Sequence, residues 1–155
     1  MAVEGKTVLN LGAGKLIRGD AINHDQVKHS DKIDIVWDLN NLPWPWKDEQ
    51  FELVIARAVL EHLDVDLLAS MNEIWRVMKP GGKAFVKLPY WNHDRTWEDP
   101  THRRGYAPKV FNFFDPSTKY GQLYGFYTPH KWKIIDGPTL NKAKTSILCT
   151  LEKVG

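Results

Sequence analysis

In the stretch TVLNLGAGKLIRGDAINHD, from Thr7 to Asp25, an apolar run (Val8, Leu9, Leu11) breaks at Gly12-Ala13-Gly14. After Gly19 the apolar character resumes at Ala21-Ile22 and ends on Asp25. That order reads as strand, glycine turn, short crossover, strand, acid. Glycines let the backbone turn sharply and approach a ligand with no side chain between, and free amides in such a turn attract negative charge. An acid at the tip of the next parallel strand can accept hydrogen bonds from the vicinal hydroxyls of a ribose. A nucleoside-containing ligand is the chemistry this spacing serves, and a plain Gly-x-Gly turn is the reading that asks for no ligand. Other residues with chemical capacity follow: Asp38 at the end of an apolar run, Glu61-His62, and a loop holding His93, Asp94, Asp99, His102, Arg103 and Arg104. His62, His93 and His102 are candidates for proton transfer, with Glu61 and Asp99 as partners. His93, Asp94, Asp99 and His102 lack a metal-ligand spacing on a regular element, so no metal is expected. Arg103 and Arg104 could hold an acidic group of a substrate, or could be solvated loop charges.

The elements that must position these residues alternate in type. Ile33 to Leu39 and Phe51 to Ala56 are short, nearly continuous apolar runs, the composition of strands covered on both faces. Between them Pro43 and Pro45 rule out a helix core, and Trp44 and Trp46 either cover one edge of the sheet or touch a ligand. From Asp64 to Lys79, Leu67, Leu68, Met71, Ile74, Trp75 and Met78 recur at spacings of three and four, which predicts a helix. Asp64 or Asp66 caps it, and Pro80-Gly81-Gly82 ends it. A strand from Lys83 to Tyr90 follows. Residues 91–130 then break the rhythm with aromatics, charges and turn residues, and Pro108 to Phe114 reads as a short helix inside them. Lys131 to Asp136 and Ser146 to Glu152 close the chain as an antiparallel hairpin. The order of elements favours an α/β domain with a mostly parallel sheet.

The 155 residues fit one domain with a substantial core. A formal charge of +2, with no cluster of five or more Lys/Arg, gives no indication of nucleic acid as a partner. The one cysteine, Cys149 in an apolar run, reads as a buried, inert thiol and agrees with a reducing cytoplasm. The N-terminus MAVEGKTV has no leader pattern and no apolar run is long enough to span a bilayer, so no membrane association is expected.

With these elements placed, the chain resembles the class I methyltransferases that use S-adenosylmethionine, across nearly its whole length. The matching pieces are LNLGAG at 9–14, INHD at 22–25, DLNNLPWPWKDEQFELVIARAVLEHL at 38–63 and MKPGGKAFVKLP at 78–89. The resemblance implies a Rossmann-like fold: a mostly parallel seven-stranded sheet ending in an antiparallel hairpin, here with reduced helices on one face. Residues 1–155 would form one domain, with 91–130 as a substrate-side insertion. It also implies transfer of a methyl group by in-line displacement, with S-adenosylhomocysteine as product. Gly12, Ala13 and Gly14 would lie against the methionine part of the cofactor, Asp25 would bind the ribose hydroxyls, and Asp38 with the Leu39 amide would meet the adenine. The carbonyl at Ala56 or Arg57 would face the methionine ammonium, and His62 would border the cleft. His62 and His102 are the catalytic candidates, and His93, Asp99, His102, Arg103 and Arg104 the substrate-side ones, for a small-molecule acceptor.

The sequence departs from that family where Asn10 replaces a frequent acid, and where both early crossovers leave little room for helices. A second copy or a partner subunit would then cover the thin face. The alternatives are a cofactor-binding module without catalysis, or a subunit beside an active partner. A nicotinamide-dependent oxidoreductase is disfavoured: the acid follows the first glycine too closely, no Gly-x-Gly-x-x-Gly is present, and Asp38 suits the methyl donor better.

Overall fold

The computed structural model describes residues 4–155; Met1, Ala2 and Val3, part of the N-terminal stretch read above, lie outside it. Strands β1 (Val8–Leu11), β2 (Ala21–Asp25), β3 (Ile35–Val36) and β4 (Phe51–Arg57) precede helix α1 (Leu67–Val77) and strand β5 (Met78–Pro89). Then come α2 (Asp94–Glu98), a 3-10 segment (Pro108–Phe114), α3 (Lys119–Tyr124), and the closing strands β6 (Lys131–Leu140) and β7 (Ser146–Val154). They form one seven-stranded sheet in the order β3-β2-β1-β4-β5-β7-β6. The pairs β1/β2, β1/β4, β2/β3 and β4/β5 are parallel, and β7 pairs antiparallel with both β5 and β6. The expected α/β sheet and terminal hairpin are both present. Chain order reverses between β1 and β4, the switch point at whose carboxyl end an open parallel sheet binds ligands.

The central strands are fully packed on the face that α1 covers, whereas the other face, expected to be covered too, carries half-buried Val8, Leu53, Phe85 and Lys87 beside Asn10 and Ile55. Leu9, Leu11, Val54, Ala56, Val86 and Leu88 are buried, and α1 lays Leu67, Met71, Ile74 and Val77 against the sheet. Trp44 and Trp46 belong to this core, of the two readings the one without a ligand. Trp46 sits edge-on to Trp44, Phe51 and His24, and the Trp44 indole donates to the Leu39 carbonyl. Arg76 of α1 holds the segment in place by donating to the Trp44 and Trp46 carbonyls.

Several elements differ from their expected bounds, β6 and β7 only by running on to Leu140 and Val154. The helix starts at Leu67, where the Asp66 carboxylate accepts from the Ala69 amide at 2.8 Å, rather than near Asp64. It ends at Val77 rather than Lys79, because Met78 already turns extended and pairs with Phe51. Pro80-Gly81-Gly82 therefore lies inside an irregular β5, and a Cβ at Gly82 would come within 2.9 Å of the Lys79 carbonyl oxygen and 3.1 Å of that of Glu52. The expected strand from Ile33 to Leu39 shrinks to Ile35–Val36, flanked by single bonds from the Asp34 amide to Asn23 and from the Trp37 amide to Asp25. Among the described residues no helix stands between β1 and β2 or between β2 and β3.

Candidate functional site

Three cavities run along the carboxyl ends of the parallel strands. The first, about 240 Å³, is lined by Asn10, Gly12, Ala13, Arg18, Ile55 and Arg57 among others. The second, about 440 Å³, shares Gly12 with it and continues past Asp25, Trp37, Asp38, Leu39 and Asn40 to Ala58, Val59 and His62. The third, about 660 Å³, shares Ala58 and His62 with the second and opens between Glu61, Lys87, Arg95, Glu98, Asp99 and His102.

Gly12 has φ +58, and a Cβ there would lie 2.6 Å from Cγ2 of Val59, so the turn depends on glycine for conformation and for space. The turn amides are not free, contrary to expectation. The Gly12 amide donates to Nδ1 of His24 at 3.1 Å, the Ala13 amide to the His24 carbonyl at 2.8 Å, and the Gly14 amide to Oδ2 of Asp25 at 2.9 Å. The turn thus offers close approach, and β2 consumes its positive charge. Asp25 also accepts from Gln26 through Oδ1. Burial pushes the Asp25 carboxyl up, but the amides of Gly14, Gln26 and Val27 and the His29 ring pull harder, and it stays ionised to below the usual carboxylate range.

His24 is a functional residue that sequence reasoning missed. It is 2% exposed, and since Nδ1 accepts from Gly12, the neutral ring carries its proton on Nε2, which donates to the Trp37 carbonyl at 2.8 Å. One side chain ties the glycine turn to the segment leading to Asp38. Burial pushes its pKa down. The available signal was a polar residue at an inward position of a strand, beside the acid that drew attention.

At the junction of the second and third cavities lie Glu61, His62 and His102. The first two belong to a 3-10 turn (Leu60–His62) ahead of α1, and His102 comes from the loop after α2. The rings of His62 and His102 meet edge-on with centroids 4.7 Å apart. Nε2 of His102 is 3.8 Å from Oε2 of Glu61 and 3.7 Å from Oδ2 of Asp99. Glu61 is 2% exposed and its Oε1 has no hydrogen-bond partner. Burial pushes its carboxyl up to about 7, against the pull of His102 and Lys87. Burial likewise lowers the His62 pKa, and His102 and Arg103 push the same way.

The structure brings Gly12, Ala13, Asp25, Asp38, Leu39, Arg57 and His62 to the cavities along the switch point, with the wholly buried Ala56 directly before Arg57 in β4, whereas Gly14 lines a separate cavity of about 1120 Å³ with Lys15, Arg18 and Asn23. It places Asp99 and His102 on the third cavity. His93 instead caps α2, accepting the Arg95 amide through Nδ1. Arg104 spends its donors on the carbonyls of Leu63, Asp64 and Val65, and Arg103 gives its amide to the Glu61 carbonyl and its Nε to Asp64. These arginines staple the loop onto the entry to α1, which is how His102 reaches Glu61. Cys149 is buried and its thiol is pushed up to about 12, as expected of an inert cysteine. Among the described residues no helix is long and apolar enough to cross a membrane.

A family model described as a methyltransferase domain matches residues 16–86. No curated protein matches in sequence. Among solved structures, an S-adenosylmethionine-dependent methyltransferase from Archaeoglobus fulgidus is 16% identical with a TM-score of 0.66, over 98% of this chain and 88% of that one. The methyltransferase in a complex with the Haloferax volcanii Trm112 methyltransferase activator is 15% identical with a TM-score of 0.64, over 99% and 85%. An S-adenosylmethionine-dependent methyltransferase structure from Listeria monocytogenes gives 12%, 0.60, 97% and 92%. The methyltransferase-domain match over residues 16–86 and the shared seven-stranded sheet give the chain the class I, Rossmann-like fold of S-adenosylmethionine-dependent methyltransferases.

Proposed function

We propose that the chain, as one domain, transfers the methyl group of S-adenosylmethionine to a small polar acceptor seated between the 3-10 turn at Glu61 and the loop 95–102. The observation that carries this reading is the sharing of Ala58 and His62 by the second and third cavities, which puts a nucleoside-sized cleft and an acceptor-sized one in contact at a single point. The residues fit the donor. Asp25 is an ionised carboxylate at the tip of β2 on the second cavity, where it would accept from a diol in exchange for its long 3.5 Å contact with His29. Asp38 and the Leu39 amide would meet the adenine, and Gly12, Ala13, Gly14, Ala56 and Arg57 the methionine end.

When bound, the donor supplies a methyl on a sulfonium, open to in-line displacement. The chain's part is to hold donor and acceptor in near-attack geometry, which supplies much of the rate. If the acceptor must lose a proton, His62 and His102 stand at the junction to take it. Lys87, Arg95, Glu98 and Asp99 give the acceptor cavity both signs of charge, which suits a polar small molecule over an apolar one. The setting is the cytoplasm. A second reading makes the chain a subunit whose face near the missing helices is covered by a partner or a second copy; exposed Leu16, Val27 and Val36 favour it.

Calorimetric titration with S-adenosylhomocysteine, and with NAD in parallel, tests the donor site. Micromolar binding of the former, at least tenfold weaker in Asp25→Ala, is expected. No binding, or binding of NAD instead, sinks the proposal. Binding without methyl transfer to any of a panel of hydroxy, amino and carboxylic acids would favour the subunit reading.

A further inference from the structure

We propose that Glu61, His62 and His102 bind a divalent transition-metal ion, zinc foremost, at the point where the second and third cavities meet. One ligand atom from each of the three lies within 4.8 Å of the others, among the described residues. Proximity alone would describe many polar clusters, and the hydrogen bonds around this one add more.

Nδ1 of His102 is 2.8 Å from the Thr96 carbonyl, which can only accept, so in the neutral ring Nδ1 carries the proton and Nε2 keeps a lone pair. Nδ1 of His62 is 2.7 Å from Oγ1 of Thr101, whose single hydroxyl proton is donated to Oδ1 of Asp99, also at 2.7 Å. Oγ1 must then accept from His62, and that ring too keeps its lone pair on Nε2. Fixing one ring nitrogen as a donor to a carbonyl or hydroxyl is how metal-binding imidazoles are oriented. Each histidine is therefore held with its lone pair on Nε2 by a partner outside the site, one of them itself oriented by Asp99, and that lone pair takes a proton only while no ion holds it.

The third ligand is the carboxylate of Glu61, almost fully buried with Oε1 unpaired. A buried carboxylate oxygen with no partner costs free energy, and a cation is what would offset it. Two imidazole nitrogens and one carboxylate suit zinc and leave at least one position open. In a tetrahedral site with bonds of about 2.0–2.1 Å the ligand atoms stand about 3.3 Å apart, so the 3.8 Å between Glu61 and His102 needs about half an ångström of closure. Asp99, whose Oδ2 is 3.7 Å from the same nitrogen, is the natural fourth ligand or outer partner. Glu61, His62 and His102 all line the acceptor cavity. An acceptor carrying a hydroxyl or carboxylate oxygen is the class that would complete the coordination; that last step rests on the methyltransferase reading, whereas the metal site does not. The site departs from the expectation of no metal because Glu61-His62 and His102 are far apart in sequence and share no regular element, so no spacing announced them.

The experiment is titration of chelator-treated full-length protein with zinc chloride by calorimetry, together with visible absorption after cobalt(II) addition. One zinc per chain, bound with submicromolar affinity, and an intense cobalt band of low-coordinate type are expected. His102→Ala and Glu61→Gln should each weaken zinc by at least about 100-fold. Thr101→Val, on an exposed residue that leaves the three ligands in place, should weaken it by about 10- to 100-fold by freeing the His62 tautomer. Zinc binding no tighter than millimolar, or binding unchanged in a His62→Ala/His102→Ala double variant, overturns the proposal. Zinc binding that persists in Asp25→Ala while S-adenosylhomocysteine binding is lost separates this site from the donor site.

Discussion

Replacing Gly12 by alanine tests how the turn at the switch point is held, and the cost can be worked from the structure. At φ +58 an L-residue pays about 1–2 kcal/mol for the left-handed conformation, offset by about 0.4–1 kcal/mol because alanine loses less freedom on folding. The added methyl would stand 2.6 Å from Cγ2 and 2.9 Å from Cβ of Val59, and such overpacking costs about 1–3 kcal/mol. The net loss expected for Gly12→Ala is therefore about 1–5 kcal/mol. The two parts separate in double variants. Val59→Ala removes the 2.6 Å contact but leaves Cβ at 2.9 Å, so it should recover about 1 kcal/mol of coupling. Val59→Gly removes both and should recover about 2 kcal/mol or more. The conformational part stays in either background. Urea unfolding followed by tryptophan fluorescence measures all four corners of each cycle. Additive free energies in both cycles, within about 0.5 kcal/mol, would show that Val59 does not limit the turn and would refute the argument from close approach.

His24 gives a pH dependence of definite sign. Its folded pKa is lowered from 6.5 by burial, so its contribution is complete above the unfolded value and is lost as pH falls through the lowered one. Stability and S-adenosylhomocysteine affinity should both decline below about pH 6.5, and His24→Gln should flatten the decline; parallel curves for the two proteins would remove His24 as the cause. Asn10→Asp should cost about 2–4 kcal/mol at pH 7, because Nδ2 of Asn10 donates to the Leu16 carbonyl at 2.9 Å and to Oδ1 of Asn23 at 3.0 Å, and a carboxylate can do neither. The loss should shrink at pH 5, where a raised carboxyl pKa restores one donor. A variant within about 0.5 kcal/mol of the parent at pH 7, by the same urea assay, would show these bonds to be dispensable.

The part of the site that is local in sequence was legible. Strand β1, the turn at Gly12 and Asp25 at the end of β2 follow one another within a single crossover, and each is set by residue type: an apolar run, a residue that tolerates positive φ, an acid at a strand tip. What could not be read was whatever depends on two distant segments meeting. His102 reaches Glu61 because the Arg103 amide bonds the Glu61 carbonyl at 2.7 Å and Arg104 grips the carbonyls of 63–65, and nothing in residue type marks those arginines as staples rather than anion binders. The over-long helix has a similar cause. Apolar spacing continues through Met78, but that residue is claimed by its pairing with Phe51, so a tertiary partner overrode the local pattern. The tryptophans were ambiguous for the same reason, since only the positions of Arg76 and Phe51 decide that they pack inward.

The departure at Asn10 and the missing first helix are two sides of one arrangement. A crossover with no helix leaves its backbone groups without intrahelical partners, and those near the sheet must be satisfied some other way. Here two buried asparagines do it. Asn10 donates to the Leu16 carbonyl, while Asn23 accepts the Arg18 amide at 3.0 Å through Oδ1 and donates to the Arg18 carbonyl at 2.9 Å through Nδ2. The two side chains are joined to each other by the bond from Nδ2 of Asn10 to Oδ1 of Asn23. An acid at position 10 could not donate to either partner, so the short crossover requires an amide there. The absence of a charge at position 10 and the absence of a helix are therefore coupled, and the first cavity is lined by neutral Asn10 together with Arg18 and Arg57. The turn at Gly12 and the acid at Asp25 stand without that helix because they depend on β1 and β2 alone.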